Sequence, residues 1–496
     1  MDHSFRNRTI SGVIWKAMES GGNQLVRFVI SVVIARILDP ANYKTLALLL
    51  IFINIADVFV KRGFSTALIQ RKDADDVDFS SVFWAGLAIA CVLYLILFLT
   101  APWIATFFEQ SDFSKALRVL SIILITGAAN SVQSAIITRK LEFRKLCMAT
   151  LGATLVSGAL GIYLAYTGAG VWALVVQQLL GSAATVVLLW LLDRWKPAFV
   201  FSWERLGVLF GYGWKLLVSS LMDTGYSELS SLVVGKRYID DSIAFYTTGR
   251  RYPEMIGTNL TNVALSVLFP AYSAHQDSTA RVREMVRKTN RSTALMVFPM
   301  MAGMAAVATL LLRVLLTEKW VPAAPYLQIM CVIYALYPIE ATDLQAINAL
   351  GRSDLYLKTE IIKKIFGIVL LIASVFLFST PLAIAGAVTI TAVFSMFVTM
   401  VVMKRLFAYR YRDQLWDLTP PLLLSAVMAA AVLAVSLAPM PDLLSLIAQI
   451  ACGIAVYLGL AVLLKLQSFD YLWRSVKEYL NKNKIKTEPE TTERPD

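Results

Sequence analysis

Ionisable side chains recur at helical spacing inside otherwise apolar stretches of this 496-residue chain. Lys16, Glu19, Asn23 and Arg27 stand at steps of three, four and four, which puts them on one helix face. Asn54, Asp57 and Lys61 keep the same register. Lys215, Ser219, Asp223, Tyr226 and Ser230 make a third stripe, with Glu228 off it. Thr247, Arg250, Glu254, Thr258 and Thr261 make a fourth, with Arg251 beside it. A charge at mid-bilayer costs roughly 2.5–3.5 kcal/mol on insertion scales, so such residues face protein interior or water. Four stripes that converge would line a hydrated cavity. The bases Lys16, Arg27, Lys215, Arg250 and Arg251 suit a phosphate group, because a guanidinium fork matches its oxygens. The carboxylates Glu19, Asp57, Asp223, Glu228 and Glu254 would tune those bases or carry a coupling proton or sodium ion. By count the two signs balance. The competing use of such charges is structural, as ion pairs of the Lys16–Glu19 or Arg250–Glu254 kind.

Further polar residues lie later in the chain. Glu340 and Asp343, with Tyr334 and Tyr337, line the same cavity, form a proton path, or simply pack. Glu360, Lys363 and Lys364 are expected at a membrane surface, where long side chains snorkel to water.

Other chemistry has little to work with. The two histidines, His3 and His275, have no second metal ligand near them in sequence, and no HExxH, CxxC or GxxxxGK[ST] pattern occurs. Each of the four cysteines, Cys91, Cys147, Cys331 and Cys452, stands alone in an apolar run, which argues against a disulfide or a zinc site. Asp73-Ala74-Asp75 matches a DxD metal–nucleotide pattern, but a solvated acidic loop explains it better. No cofactor is implied and no enzyme activity is expected.

The elements that hold the stripes follow from composition. Only 16% of residues are charged, 57% are hydrophobic, and the formal charge is +12. Soluble domains carry about a quarter charged residues. The values here exclude a cytosolic enzyme or a disordered tether and fit an all-α polytopic membrane protein. Apolar stretches near the roughly 20 residues of a spanning helix fall at 10–37, 45–60, 80–105, 116–138, 147–166, 171–192, 207–234, 243–272, 290–314, 323–348, 359–378, 382–403, 420–438 and 443–464. That is a count of fourteen, with the first stretch read as a retained span rather than a cleaved signal.

Connection charges orient the spans. With both ends of the chain on one side, 30 Lys and Arg fall on that side, against five on the other (Lys44, Lys115, Lys236, Arg237 and Lys319). Basic loops are retained in the cytoplasm, so both ends are expected there. After about Gln467, FDYLWRSVKEYLNK reads as an amphipathic surface helix and KTEPETTERPD as a polar tail.

An internal echo suggests duplication. Gly12, Trp15 and Lys16 precede Arg36 and Asp39, as Gly213, Trp214 and Lys215 precede Arg237 and Asp240. The resulting division is a six-helix bundle over 1–200, a second over 201–405, two added helices over 406–466, and the surface helix and tail over 467–496. Transporters are commonly built from such repeats, with the binding site between them.

The segments GVIWKAMESGGNQLVRFVISVVIARILDPANY, GFSTALIQRKDADDVDFSSVFW and FYTTGRRYPEMIGTNLTNVALSVLFPAYS resemble Wzx-type polysaccharide flippases. These belong to the multidrug/oligosaccharidyl-lipid/polysaccharide exporter superfamily, and the resemblance runs over nearly the whole chain. It implies fourteen helices in a MATE-like fold: two six-helix bundles plus two. It implies as partner and cargo an undecaprenyl-diphosphate-linked oligosaccharide, moved between leaflets for an exopolysaccharide such as colanic acid. Membrane lipids, a polysaccharide polymerase and export machinery are further implied partners; nucleic acid is not. By span, the diphosphate would meet Lys16, Arg27, Lys215, Arg250 and Arg251, although the balancing carboxylates depart from a purely cationic cavity. A proton- or sodium-coupled exporter of small organic cations, using Asp57, Asp223 or Glu254, is the alternative.

Overall fold

The computed structural model describes residues 3–61, Leu68 and 75–464, apart from Ser111, Leu141, Arg194, Ile239 and Gln276. The surface helix and tail expected over 467–496 lie outside the described residues. Every described element is helical: α1 His3–Ile37, α2 Pro40–Lys61, α3 Asp76–Phe108, α4 Phe113–Leu120, α5 Ile123–Arg139, α6 Phe143–Tyr166, α7 Val171–Leu192 and α8 Trp203–Arg237. There follow α9 Ser242–Ser273, α10 Thr279–Ala306, α11 Ala308–Leu315, a 3-10 turn Glu318–Ala323, α12 Ala324–Ala349 and α13 Ser353–Leu377. The last three are α14 Pro381–Phe407, α15 Tyr411–Val435 and α16 Asp442–Leu463.

Each of the fourteen expected apolar stretches falls in a helix or a broken helix. Among the described residues, nine are long and apolar enough to cross a membrane, and α10 with α11 makes a tenth, bent by 72°. Length does not fail the others. Helices α1, α8, α9 and α13 run 35, 35, 32 and 25 residues, and it is their polar residues that dilute them. Three of those four carry stripes read from the sequence. Leu95, Leu99, Val156, Val369, Leu423 and Ile454 are exposed, a surface suited to hydrocarbon rather than water.

The chain forms two compact units. One comprises 1–247 with Leu315–Trp320; the other comprises 248–314 with 321–496. In the first unit α6 packs between α1 and α7, and α2 packs on α8. Small residues permit the close approach: a Cβ on Gly158 would lie 2.1 Å from Ile30 Cδ1, as membrane helices use glycine where backbones meet. At the end of α1, Arg36 Nε donates to the Leu315 carbonyl (2.7 Å), Trp320 Nε1 donates to the Ala35 carbonyl (2.8 Å), and Lys319 reaches Asp39 (3.4 Å). The echoed end of α8 is held differently, by Lys236 on the Phe107 carbonyl and Glu109 of α3.

In the second unit α10 is central, packed on α12 and α15, with α14 against α12 and α16 against α15. Ala294, Phe298, Ile339, Met400 and Leu418 form one buried cluster. Leu295, Leu424, Met428, Tyr457 and Ala461 form the next. Gly249 of α9 sits so near α12 that a Cβ would be 2.7 Å from the Leu327 amide nitrogen and 3.0 Å from the Ala323 carbonyl oxygen. That contact sets the neighbouring Arg250 beside α12.

Candidate functional site

In the first unit the polar residues of α2 and α8 meet. Asn54 Nδ2 donates to Glu228 Oε1 at 3.0 Å. Glu228 is the carboxylate that helical spacing put off the α8 stripe, so the packing angle recruits a residue that periodicity alone did not. Asp57 pairs with Lys61 one turn away at 2.9 Å. The pair lies over Gly127 of α5, where a Cβ would stand 3.3 Å from Lys61 Cε and 3.5 Å from Asp57 Oδ1. Asn23 is buried and accepts from Thr154 Oγ1 at 2.7 Å. It therefore joins α1 to α6, and the α1 stripe is at least partly a helix–helix contact. Arg27 and Asp223 are exposed. The side chains of Lys16, Glu19 and Lys215 lie outside what the structure describes.

In the second unit Arg250 is held by two carboxylate bonds and a phenol. Its guanidinium spans the Glu254 carboxylate at 3.1 and 3.0 Å, and Nε also donates to the Tyr334 hydroxyl at 3.2 Å. Tyr337 stands edge-on to Tyr334, with ring centroids 6.1 Å apart. Arg250 and Glu254 are half-buried, at 22% and 38% exposure. One guanidinium edge is thus fixed by protein while the group still reaches solvent-accessible space. Arg251 is exposed on the other side of α9.

Lys363 corrects the surface expectation for α13. It is only 5% exposed and donates to Glu340 of α12 at 2.5 Å and to Glu360 at 2.9 Å, while Lys364 lies 3.8 Å from Glu360. Two carboxylates and two ammonium groups cancel within this cluster, which makes burial tolerable; an unpaired charge there would be strongly destabilising. Snorkelling fails because the α12 carboxylate gives the ammonium a nearer partner than water. Asp343, also buried, accepts from Asn290 Nδ2 of α10 at 2.8 Å.

A node that sequence reading missed lies on α10 and α15. Asp417, 1% exposed, accepts from Arg287 at 2.8 and 3.0 Å, from Arg291 Nε at 2.8 Å and from the Tyr409 hydroxyl at 2.6 Å. The available signal was Arg287 and Arg291 four residues apart, on one face just before an apolar run, with a lone aspartate in WDLTPP to receive them.

The DxD pattern has a local role. Asp73 and Ala74 lie outside the described residues, but Asp75 is the N-cap of α3. It accepts from the Asp78 amide while Asp78 returns the bond to the Asp75 amide. The Arg205 guanidinium donates to the Asp75 carboxylate and holds it below the usual carboxylate range. A capping box with an ion pair occupies this carboxylate with structure.

Comparison with known proteins follows the same lines. Residues 33–325 match the family described as "Polysaccharide biosynthesis protein". The succinoglycan biosynthesis transport protein ExoT of Rhizobium meliloti is 24% identical over 339 residues, covering 68% of each chain. The lipopolysaccharide biosynthesis protein WzxC of Escherichia coli is 25% identical over 366 residues, 73% of this chain and 74% of that one. Among solved structures, the lipid II flippase MurJ in an inward closed conformation superposes with a TM-score of 0.70 at 14% identity, covering 94% of this chain and 99% of that one. The fold is shared with this flippase and with a MATE family transporter in an inward-facing conformation, which superposes with a TM-score of 0.60 at 16% identity, covering 80% of this chain and 94% of that one. With its bilayer-length helices and a family match over more than half its residues, the chain is a multi-pass membrane transport protein of the polysaccharide biosynthesis protein family.

Proposed function

We propose that the protein carries an undecaprenyl-diphosphate-linked oligosaccharide repeat unit from the cytoplasmic to the periplasmic leaflet of the bacterial inner membrane. The observation that carries this reading is a family membership in polysaccharide biosynthesis joined to ionisable side chains within α1, α8 and α9 and toward the end of α2. Their insertion cost favours placement against protein or water rather than lipid. Half-buried Arg250, held on one edge by Glu254 and Tyr334, is the best-formed candidate for a phosphate contact. Arg27 and Arg251 are exposed bases on the same helices, and Lys16 and Lys215 complete the set by sequence. The carboxylates Glu19, Asp57, Asp223 and Glu254 tune these bases or carry a coupling ion.

The mechanism is alternating access. The hydrated glycan and diphosphate enter a polar space while the polyprenyl tail remains in lipid; rearrangement of the bundles 1–200 and 201–405 then exposes the headgroup outward. The helices of 406–466 are additions to that machinery, and both chain ends lie in the cytoplasm. No covalent bond changes. A polymerase and export machinery receive the product.

Mass spectrometry of undecaprenyl-linked sugars in depleted cells, with the polysaccharide genes switched on, tests the reading. One lipid-linked repeat unit should accumulate on the inner leaflet, and its sugars name the polymer, colanic acid included. An unchanged lipid pool with new sensitivity to cationic drugs would move the assignment to the export of small organic cations through Asp57, Asp223 or Glu254.

A further inference from the structure

We propose that the second unit binds the headgroup of an anionic phospholipid between the start of α10 and the elbow joining α14 to α15. This inference rests on the membrane-spanning reading alone and is independent of the cargo. Two adjoining cavities of about 510 and 320 Å³ open there, and both are lined by Arg283 and Arg287. Arg281 completes the cationic lining of the first and Arg410 that of the second; among the described residues the carboxylates on the lining are Glu284 and Asp413. Four guanidinium groups therefore face two carboxylates, and one of those is already engaged, since Glu284 pairs with Lys288 at 2.8 Å.

The guanidinium groups are arranged as well as numerous. Arg287 is fixed by both oxygens of Asp417 and lies over the Tyr409 ring at 5.6 Å. Arg283 and Arg410 make no ion pair among the described residues, so their forks are available. The elbow that presents Arg410 turns at Ala408, which adopts φ 52° without being glycine, a conformation that costs a non-glycine residue free energy unless its surroundings fix it. Unpaired guanidinium forks beside an anchored one match the oxygens of a phosphate.

The surroundings indicate that this phosphate belongs to a lipid. On the first turns of α15, Leu415 is 52% and Trp416 71% exposed. Tyr411 stacks on exposed Phe397 at 6.2 Å, and the Lys404 ammonium lies over the Tyr411 ring, 4.5 Å from its centroid. Exposed aromatic rings with lysine and arginine among them mark the headgroup level of a bilayer. Basic pockets between helices at that level take anionic headgroups, and the larger cavity has room for a phosphodiester with its glycerol.

Native mass spectrometry of the purified full-length protein tests this, with phosphatidylglycerol, cardiolipin, phosphatidylethanolamine or inorganic phosphate added in turn. The protein should retain phosphatidylglycerol and cardiolipin over phosphatidylethanolamine. Arg283→Gln with Arg410→Gln should lower that retention about tenfold, while Arg352→Gln, which removes an exposed charge paired with Asp354 and absent from the lining, should leave it unchanged. Arg410→Gln alone, at an exposed elbow, carries the test should the double variant not remain monodisperse. Equal retention by wild type and variants, or equal loss with Arg352→Gln, overturns the site. Displacement of the lipid by inorganic phosphate at matched concentration, or selective retention of undecaprenyl diphosphate in place of phospholipid, overturns the assignment of its occupant.

Discussion

Arg250 shows how much one guanidinium can be asked to do. Glu254 and Tyr334 fix its orientation without burying it, the condition for a preformed anion contact. Arg250→Ala should cut lipid-linked sugar translocation at least about tenfold, the scale of one lost charge-assisted contact, with protein still present in the membrane. Glu254→Gln keeps a hydrogen-bonding partner for Arg250 and should act more weakly. Equal losses in the two variants would show the pair to be a helix staple and remove Arg250 from the cargo site. Asp75 makes a different test. Its carboxyl is depressed by Arg205 and the Asp78 amide, so the contact stabilises above the ordinary aspartate range, near pH 3.9, and is lost as the pH falls through the depressed value. Thermal melts between pH 6 and 3 should therefore decline less steeply in Asp75→Asn than in the wild type.

At the scale of elements, single polar contacts between neighbouring helices supplement the apolar clusters that hold them. Asn23 with Thr154 ties α1 to α6, Asn54 with Glu228 ties α2 to α8, and Lys363 with Glu340 ties α13 to α12. Only the last involves a nearly fully buried cation. Lys363→Ala would leave Glu340 and Glu360 without their shared ammonium, a change that costs about 3–5 kcal/mol when a buried pair loses one member. The variant should melt well below wild type in detergent. Restoring neutrality with Glu340→Gln in the same chain should recover part of the loss; no recovery would mean that Lys363 acts through its hydrocarbon packing instead.

For the whole molecule, charge asymmetry between the two sets of loops gives a topology that can be measured directly. Alkaline phosphatase fused after Gly168 should be active, because that connection lies on the side with five basic residues. The same enzyme fused after Arg352 should be inactive. The reverse pattern would invert the direction assigned to transport while leaving the fold untouched. The TM-score of 0.70 with the inward closed MurJ structure concerns that fold, whereas orientation and cargo are properties the fusion and lipid measurements decide.

Position and type of the helices were legible in the chain, because a bilayer demands long apolar runs and their spacing survives in sequence. Every stretch listed from hydropathy is helical where described, and the stripes on α1, α8 and α9 are what separates those helices from the nine plainly apolar spans. Partnership was not legible. Periodicity assigns a residue to a face, but which helix meets that face depends on crossing angles and on where glycines let backbones approach. Glu228 meets Asn54 although it lies off its stripe, Asn23 lies on a stripe yet is spent on Thr154, and Lys363 turns inward to Glu340 instead of outward to water. Asp417 gathers two arginines from a distant stretch of chain and a tyrosine from the elbow just before its own helix. Hydropathy and helical spacing put charges within the spans; the packing of the helices chose which of them neutralise one another, since a charge in low dielectric takes the nearest opposite group that packing supplies.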